Sequence, residues 1–491
     1  MESQNRPRSF SKKNKKSLNL KKRIQNIEIF QIIRDLVGTH NIETYVIGGF
    51  VRDLIIDRNS KQDIDIVCLG SGIHLAQILK KHLGDSASLA IYKQFGTACV
   101  KYQKLEIEFV GARKESYRSE SRKPTVEEGT LVEDQNRRDF TINALAISLN
   151  EKDFGELIDP FGGIIDAKKK SIKTPLDPEE TFSDDPLRML RAIRFASQLN
   201  FDIESNTFLA IQKMNSRISI ISQERITTEL NKIILSKKPS YGFNLLFQSG
   251  LLKVIFPELQ KLHGVQIREG KSHKDNFFHT LQVLDNISKV TDDLWLRWAA
   301  ILHDIAKPDT KRFNKKVGWT FHGHEDKGAQ WVPGIFKKMK LPLNEHMKLV
   351  QKLVRLHLRP IALISKNVTD AAIRRLIYEA GDEIDDLLML CKADITSKNN
   401  NRVQQYLMNF KHVEDKIQKV ESKDSLRNFK NPITGEKIMD IFDLEPSRIV
   451  GELKEMVKEA IIENKIPNQY DAALEYIKKE GKSQGLVFKQ K

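Results

Sequence analysis

Apolar residues first recur at helical spacing at Ile24, Ile27, Phe30 and Ile33, which predicts an amphipathic helix leading into a short buried strand, Tyr45 to Ile47. Past the Gly48-Gly49 pair, Asp63-Ile-Asp65-Ile-Val67 alternates. A strand there puts both carboxylates on one face and Ile64 and Ile66 on the other. His74 to Leu83 reads as a helix, and Thr97 to Tyr102 and Leu105 to Val110 alternate like a hairpin pair. From Arg113 to Glu133 the chain is polar, charged and punctuated by Pro and Gly, which predicts a mobile loop. Beyond Ser183 helical spacing dominates, with breaks near Lys237-Lys-Pro239, Phe256-Pro257 and Asn431-Pro-Ile-Thr-Gly435. The pattern is an α/β head followed by helical regions, without internal repeats.

Composition sets outer limits. A chain of 491 residues is expected to form two to four domains. No apolar run approaches the length of a membrane span, so no membrane partner is expected. Met1 to Arg23 is basic and polar with no apolar core like that of a signal peptide, which makes the cytoplasm the expected compartment. Cys68, Cys99 and Cys391 form no metal-type pair and no disulfide framework. The formal charge is +16, and nine Lys or Arg against Glu2 alone lie within residues 1–23. Such a tail is expected to be disordered and suited to phosphate backbones.

The chemistry concentrates in a few strings. Gly48-Gly49 can turn tightly between a strand and a helix and present N–H groups to phosphate oxygens, with Arg52 reinforcing the grip. Asp63 and Asp65, two hard oxygen donors on one face, suit Mg²⁺. Alone, each feature more often marks a plain turn or a solvated strand edge. Glu106 and Glu108 alternate on a later strand, and one of them can approach the same site. Arg137-Arg-Asp-Phe-Thr-Ile-Asn-Ala144 passes from charge to apolar residues, as a segment does that begins at a site and ends in the core. In Asp184-Asp-Pro-Leu-Arg-Met-Leu-Arg-Ala-Ile-Arg-Phe195, Pro186 suits a first helical turn. Asp185, Arg188, Arg191 and Arg194 then share one face beside the stripe Leu187, Leu190 and Ile193. Asp159-Pro-Phe-Gly-Gly163 reads as a structural turn, and Ser222 as the cap of a helix carrying Arg225.

These strings, in this order from about Ile42 to Ser236, resemble the class II nucleotidyltransferases of the polymerase β superfamily, the bacterial CCA-adding enzymes and their poly(A) polymerase relatives. The resemblance implies a polymerase β-like head with Asp63 and Asp65 as catalytic Mg²⁺ ligands, and Glu108, rather than Glu106, as a secondary candidate. It implies nucleotide binding by Gly48, Gly49, Arg52 and Arg138, with Arg137 secondary. Asp185 and Arg188 hold the positions that read the incoming base, Asp184 stands where the family usually has Glu, and Arg191 and Arg194 assist at phosphate or ribose.

A second constellation follows: Phe278-His279, then Ala300-Ile-Leu-His303-Asp304, then His322-Gly-His324-Glu325, His357 and Asp394. Imidazoles and carboxylates on helices suit a divalent transition metal. The ordered series resembles the HD phosphohydrolase domain, which implies one metal on His279, His303, Asp304 and Asp394, with His324 and His357 available to a second. The expected organisation is a basic tail (1–23), nucleotidyltransferase head (24–165), helical neck for base selection and RNA binding (166–258), HD domain (262–410) and C-terminal helical region (411–491). The fold class is thus an α/β head followed by an all-α neck, HD and C-terminal regions. The expected activity is template-independent addition of C and A from CTP and ATP to the tRNA 3′ end, with HD phosphohydrolase activity beside it. The alternatives are poly(A) or A-only addition and, from another class, an HD phosphohydrolase with an RNA-binding head.

Overall fold

The structure, a computed structural model, describes residues 20–58, 63–118, 121–364, 369–396, 399–421 and 431–487. Most of the basic tail and the last four residues lie outside these. The chain forms two compact units that meet at the Pro257/Glu258 bond, beside the predicted break at Phe256-Pro257.

The first unit opens with the helix Glu28–His40, which buries Ile29, Phe30, Ile33 and Val37. Ile27 interrupts the predicted run, because its backbone is extended and it stands just outside the helix. The head is built on nine strands: β1 Thr44–Ile47, β2 Asp63–Cys68, β3 Ala87–Tyr92, β4 Thr97–Tyr102, β5 Leu105–Gly111, β6 Arg113–Arg118, β7 Ser121–Glu128, β8 Ala146–Ser148 and β9 Leu157–Ile158. Seven form a mixed sheet in the order β3-β4-β5-β2-β1-β8-β9. β2 and β5 run parallel, in a register that sets Asp63 beside Glu106 and Asp65 beside Glu108. The predicted β4/β5 hairpin is present.

The stretch expected to be a mobile loop is instead ordered into the antiparallel ribbon β6/β7 and a short helix, Leu131–Asn136. Gly129 closes the ribbon tightly, since a Cβ there would meet the Lys114 backbone nitrogen at 2.7 Å. Thr130 and Glu133 then form a reciprocal capping box that starts the helix.

The neck is helical, with one small ribbon beside its helices. Ser171–Ile172 and Asp202–Ile203 pair as a small parallel ribbon beside the helices Pro178–Asp184, Leu187–Leu199, Gln223–Ile234 and Pro239–Gln248. The helix Leu187–Leu199 is amphipathic as read from sequence, but it buries Arg188 and Arg194 together with its apolar stripe.

In the second unit the helices Asn276–Ile287, Leu294–Leu302, His324–Lys338, Glu345–Leu356 and Ile384–Asp394 form a bundle. Two short antiparallel ribbons, Ile267–Arg268 with Lys271–Ser272 and Arg312–Asn314 with Gly318–Thr320, stand on this helical region. The C-terminal helices Gly435–Phe442, Arg448–Ile462 and Tyr470–Ser483 have their own core of Ile433, Ile438, Phe442, Leu453, Val457 and Ile477. Among the described residues no helix is long and apolar enough to cross a membrane.

Candidate active site and metal centre

β2 and the turn after β1 bring the first site together. Gly48 has φ +82° and ψ −136°, a conformation closed to side chains, and the helix Gly49–Ile55 begins directly after it. A Cβ on Gly48 would lie 3.2 Å from Asp65 Oδ2 and 3.2 Å from Arg138 Nη1, so the bare turn, the carboxylate and the guanidinium share one small space. Gly49 needs no such backbone; its Cβ would make ordinary contact with Arg52.

Burial pushes the Asp65 carboxyl above its ordinary range against the pull of Arg138, and Asp63 adds to the rise. Glu108 is raised as well, by burial and then by the charge of Asp65. Glu106 has a different partner, since Lys101 on β4 holds its Oε1 at 2.5 Å. Glu108 is therefore the glutamate on which the charge of Asp65 bears. Asp63, Asp65 and Glu108, gathered on two neighbouring strands with Asp65 and Glu108 raised chiefly by burial, are a fitting donor set for a hard divalent cation such as Mg²⁺.

The Arg137–Ala144 segment supplies cations, and two aspartates missed in the sequence fix them. Asp134, fully buried, accepts from Arg137 Nε at 3.1 Å through Oδ1 and from Arg138 Nε at 3.1 Å through Oδ2. Asp139 accepts from Arg191 Nε at 2.7 Å, from the Asn143 amide at 3.0 Å and from the Phe140 N–H at 2.9 Å. Burial would raise its pKa, but Arg191 and these hydrogen bonds prevail and hold it at about 2. The spacing of Asp134 three and four residues before Arg137 and Arg138 was a legible signal. The pairing of Asp139 with Arg191 across 52 residues was not.

Arg52 is buried rather than extended into the cleft. Its Nε donates to Asp53 Oδ1 and its Nη1 to Asn143 Oδ1, each at 2.8 Å, which ties the Gly49 helix to the Arg137 segment. Arg194 lies 4.0 Å above the Phe195 ring and 3.0 Å from Glu229 Oε2, and burial lowers its pKa to about 10. Glu229, also unforeseen, holds it inside the neck. Arg191 keeps about a third of its side chain exposed, 34%.

At the start of the Leu187 helix, Asp185 Oδ1 accepts from the Leu187 N–H at 3.1 Å, while Oδ2 lies 3.4 Å from Arg225 Nη2. Arg188 donates through Nη2 to the Arg137 carbonyl at 2.5 Å and through Nη1, weakly, to the Thr181 carbonyl at 3.4 Å. The helix is thus joined directly to the cation-bearing segment. Ser222 precedes the Gln223–Ile234 helix but makes no side-chain cap; Arg225 reaches Asp185 instead. Asp159 caps the helix Gly163–Lys169 by accepting from the Gly163 N–H at 2.7 Å.

In the second unit the predicted HD residues converge on Asp304. Its Oδ2 lies 3.2 Å from His303 Nε2 and 3.5 Å from His279 Nε2, and its Oδ1 lies 3.2 Å from His324 Nε2 and 3.9 Å from His357 Nε2. Asp394 completes the first group, 2.9 Å from His279 Nε2. Each imidazole turns its Nδ1 to an oxygen: Thr396 Oγ1 for His279, and the carbonyls of Ala300, Phe321 and Val354 for His303, His324 and His357. With Nδ1–H donating to these oxygens, Nε2 would be the atom free to ligate on the Asp304 side, the arrangement metal-ligating histidines adopt. His303 Nε2 is buried with no aligned hydrogen-bond partner. Burial and then His303 push His357 down to about 4, which keeps it a neutral donor. The chemistry of this set fits a metal on His279, His303, Asp304 and Asp394, and a second on Asp304, His324 and His357. Lys307 also reaches Asp304 Oδ2, at 2.6 Å, an approach not anticipated from the sequence.

Comparison with known proteins assigns the parts to classes. Residues 44–173 match the poly A polymerase head domain, residues 200–262 a region described as a probable RNA and SrmB-binding site of polymerase A, and residues 276–395 the HD domain. The chain therefore carries a head of the poly A polymerase family, the nucleotidyltransferase class, joined to an HD domain.

More particularly, it is 33% identical over 272 residues to the A-adding tRNA nucleotidyltransferase of Deinococcus radiodurans, covering 54% of this chain and 60% of that one. It is 45% identical over 166 residues to the A-adding tRNA nucleotidyltransferase of Aquifex aeolicus, covering 34% of this chain and 20% of that one. The chain thus spans less than two thirds of either curated relative. Among solved structures it shares its fold with the Bacillus stearothermophilus CCA-adding enzyme in complex with CTP, at TM-score 0.63 and 20% identity over 93% of this chain and 97% of that chain. It also shares it with a tRNA nucleotidyltransferase complexed with a primer tRNA and an incoming ATP analog, at TM-score 0.55 and 24% identity over 78% and 98%.

Proposed function

We propose that the head adds nucleotides to the 3′ end of tRNA without a nucleic-acid template, taking CTP and ATP and releasing pyrophosphate. The observation that carries this reading is the shared space of Gly48, Asp65 and Arg138, with Glu108 in register beside Asp65. Asp63 and Asp65, with Glu108, would hold Mg²⁺, which when bound polarises the phosphate oxygens and lowers the pKa of the attacking hydroxyl. The RNA 3′-oxygen bonds to the α-phosphorus as the bond to the leaving pyrophosphate breaks. Arg138, oriented by Asp134, and Arg191, oriented by Asp139, bind the triphosphate and offset charge that develops on the leaving oxygens. Gly48 and Gly49 keep the backbone beside the phosphates. Arg52 and Arg194 act here by holding the Gly49 and Leu187 helices in place. Asp185 and Arg188 read the base, the carboxylate accepting from an exocyclic amine and the guanidinium donating to a ring nitrogen or carbonyl. The HD centre is proposed to bind divalent metal and hydrolyse a phosphate ester.

A second reading, addition of A alone, is favoured by the names of the two curated relatives. One assay tests both. The full chain is given tRNAs ending before CCA, after C and after CC, with CTP, ATP or both, and products are resolved to the nucleotide. Growth of all three substrates that stops at CCA supports addition of C and A. Extension only of the CC-ended tRNA, by one A, selects the second reading. Long A tails or no incorporation overturn both.

A further inference from the structure

The two short ribbons on the HD unit form a surface that nothing in the proposed chemistry uses. The first, Ile267–Arg268 with Lys271–Ser272, turns through Glu269 and Gly270, both at positive φ, as a two-residue hairpin requires. The second, Arg312–Asn314 with Gly318–Thr320, turns through Lys315, Lys316 and Val317, with Asn314 Oδ1 accepting from the Lys316 N–H at 2.8 Å. Lys271 joins them: its Nζ donates to the carbonyls of Lys315 and Lys316, each at 2.6 Å, and its own carbonyl accepts from Trp319 Nε1 at 3.3 Å. The result is one arm built from two hairpins.

Its charge is mainly positive, with seven Lys or Arg against Glu269 and Asp275 in residues 263–275 and 311–321. Arg268 lies 4.8 Å over the Phe313 ring and Lys311 lies 4.6 Å over the Trp319 ring, so the two cations stand on aromatic faces. Arg312, Lys315 and Lys316 are exposed. Among the described residues none of these five cations pairs with a carboxylate. Elsewhere in the same unit exposed cations do pair, as in Lys338 with Glu258 and Arg448 with Glu452. The arm is also rooted in the metal-binding cluster. His273 packs edge-on against Phe321, whose carbonyl accepts from His324 Nδ1 at 2.7 Å. Lys274 donates to the carbonyl of Thr396, the residue whose hydroxyl holds His279.

We propose that this arm, residues 263–275 and 311–321, is an RNA-binding surface that grips the phosphate backbone of a single strand and holds it beside the HD centre. Guanidinium and ammonium groups without carboxylate partners complement a polyanion whose charges repeat along a strand, and Arg268 on its ring and Lys311, held by its ring and by His273 Nε2 at 2.6 Å, need little side-chain ordering when it binds. The choice of RNA as the polyanion rests on the tRNA reading of the head; the cationic surface does not.

The test uses the full chain and a fluorescein-labelled 12-nucleotide single-stranded RNA, with binding followed by anisotropy across a salt series. The variant Arg268→Gln, Arg312→Gln, Lys315→Gln, Lys316→Gln, confirmed as folded by its melting curve, is expected to bind about tenfold or more weakly at low salt. Its slope of log affinity against log salt should fall by roughly 0.7 for each phosphate that the variant no longer neutralises. Photocrosslinking of 4-thiouridine RNA to the unaltered chain gives a readout independent of the variant, and crosslinked peptides should include 263–275 or 311–321. An unchanged slope in the folded variant, or crosslinks confined to other segments, would overturn the proposal. Poly-glutamate that competes as well as RNA would overturn it in favour of an acidic protein partner. Nucleotide incorporation into tRNA by the unaltered chain is scored separately. Its failure with arm-dependent binding intact would reject the head's reading alone.

Discussion

At the scale of single residues, Gly48 and Asp139 carry the sharpest expectations. Gly48→Ala introduces a Cβ into a backbone region that side chains avoid, at a cost on the order of 1–3 kcal/mol. The same Cβ presses on both Asp65 and Arg138 at 3.2 Å. Nucleotide transfer by G48A should therefore fall by far more than its melting temperature predicts, and by more than that of Gly49→Ala, whose Cβ has ordinary space in the protein; single-turnover rates beside thermal melts check this. Asp139 makes a pH-dependent prediction. Its folded pKa, about 2, lies below the unfolded value, so its contribution is complete above about pH 4 and is lost as pH falls through 2. The stability gap between the unaltered chain and Asp139→Asn should be roughly 2 kcal/mol at pH 6 and close toward pH 2 in urea titrations. Residues of this kind mark where the sequence was silent. Gly48, Asp65 and Arg138 could be read because each sits in a short local string. Asp139 and Glu229 could not, because each acts on an arginine supplied by a different helix.

Whole elements are legible where one face is apolar, and illegible where side-chain pattern does not report pairing. β2, β5 and the Leu187 helix follow their periodicity, and the parallel register of β2 with β5 puts Glu108 rather than Glu106 against Asp65. The ribbon β6/β7 is polar in sequence and reads as a loop, because its order comes from backbone pairing and the close approach at Gly129. The β5 register yields a test. Glu108→Gln should raise the Mg²⁺ concentration needed for half-maximal nucleotide transfer several-fold, while Glu106→Gln, whose carboxylate Lys101 already occupies, should leave it nearly unchanged. Equal shifts in the two variants would remove Glu108 from the metal site. The Leu187 helix presents a different case, since Arg188 is bonded to the Arg137 carbonyl. Arg188→Lys retains the charge but loses the forked donors. It should relax discrimination among the four nucleoside triphosphates more than it weakens tRNA binding, as competition between labelled nucleotides would show.

At the scale of the molecule, the division at Pro257/Glu258 leaves every residue of the nucleotide site in one unit and every residue of the HD cluster in the other. Each unit has its own buried core, so the two sites can be altered and measured separately. Within the HD cluster the two oxygens of Asp304 face different histidine pairs, Oδ2 toward His279 and His303 and Oδ1 toward His324 and His357. If both groups hold metal, Asp304 bridges them, and the variants differ in stoichiometry. Asp304→Ala should lose both ions, whereas His324→Ala should lose one, because His279, His303 and Asp394 still support the other. Elemental analysis of the purified full chain after dialysis against Mn²⁺ or Ni²⁺ counts them directly. The same Asp304→Ala protein should retain nucleotide addition to saturating tRNA, and Asp65→Asn should abolish addition while keeping the HD metal content. Loss of nucleotide addition in a folded Asp304→Ala chain would show that the two sites are coupled, and retention of full metal in that variant would show that Asp304 is not the bridge.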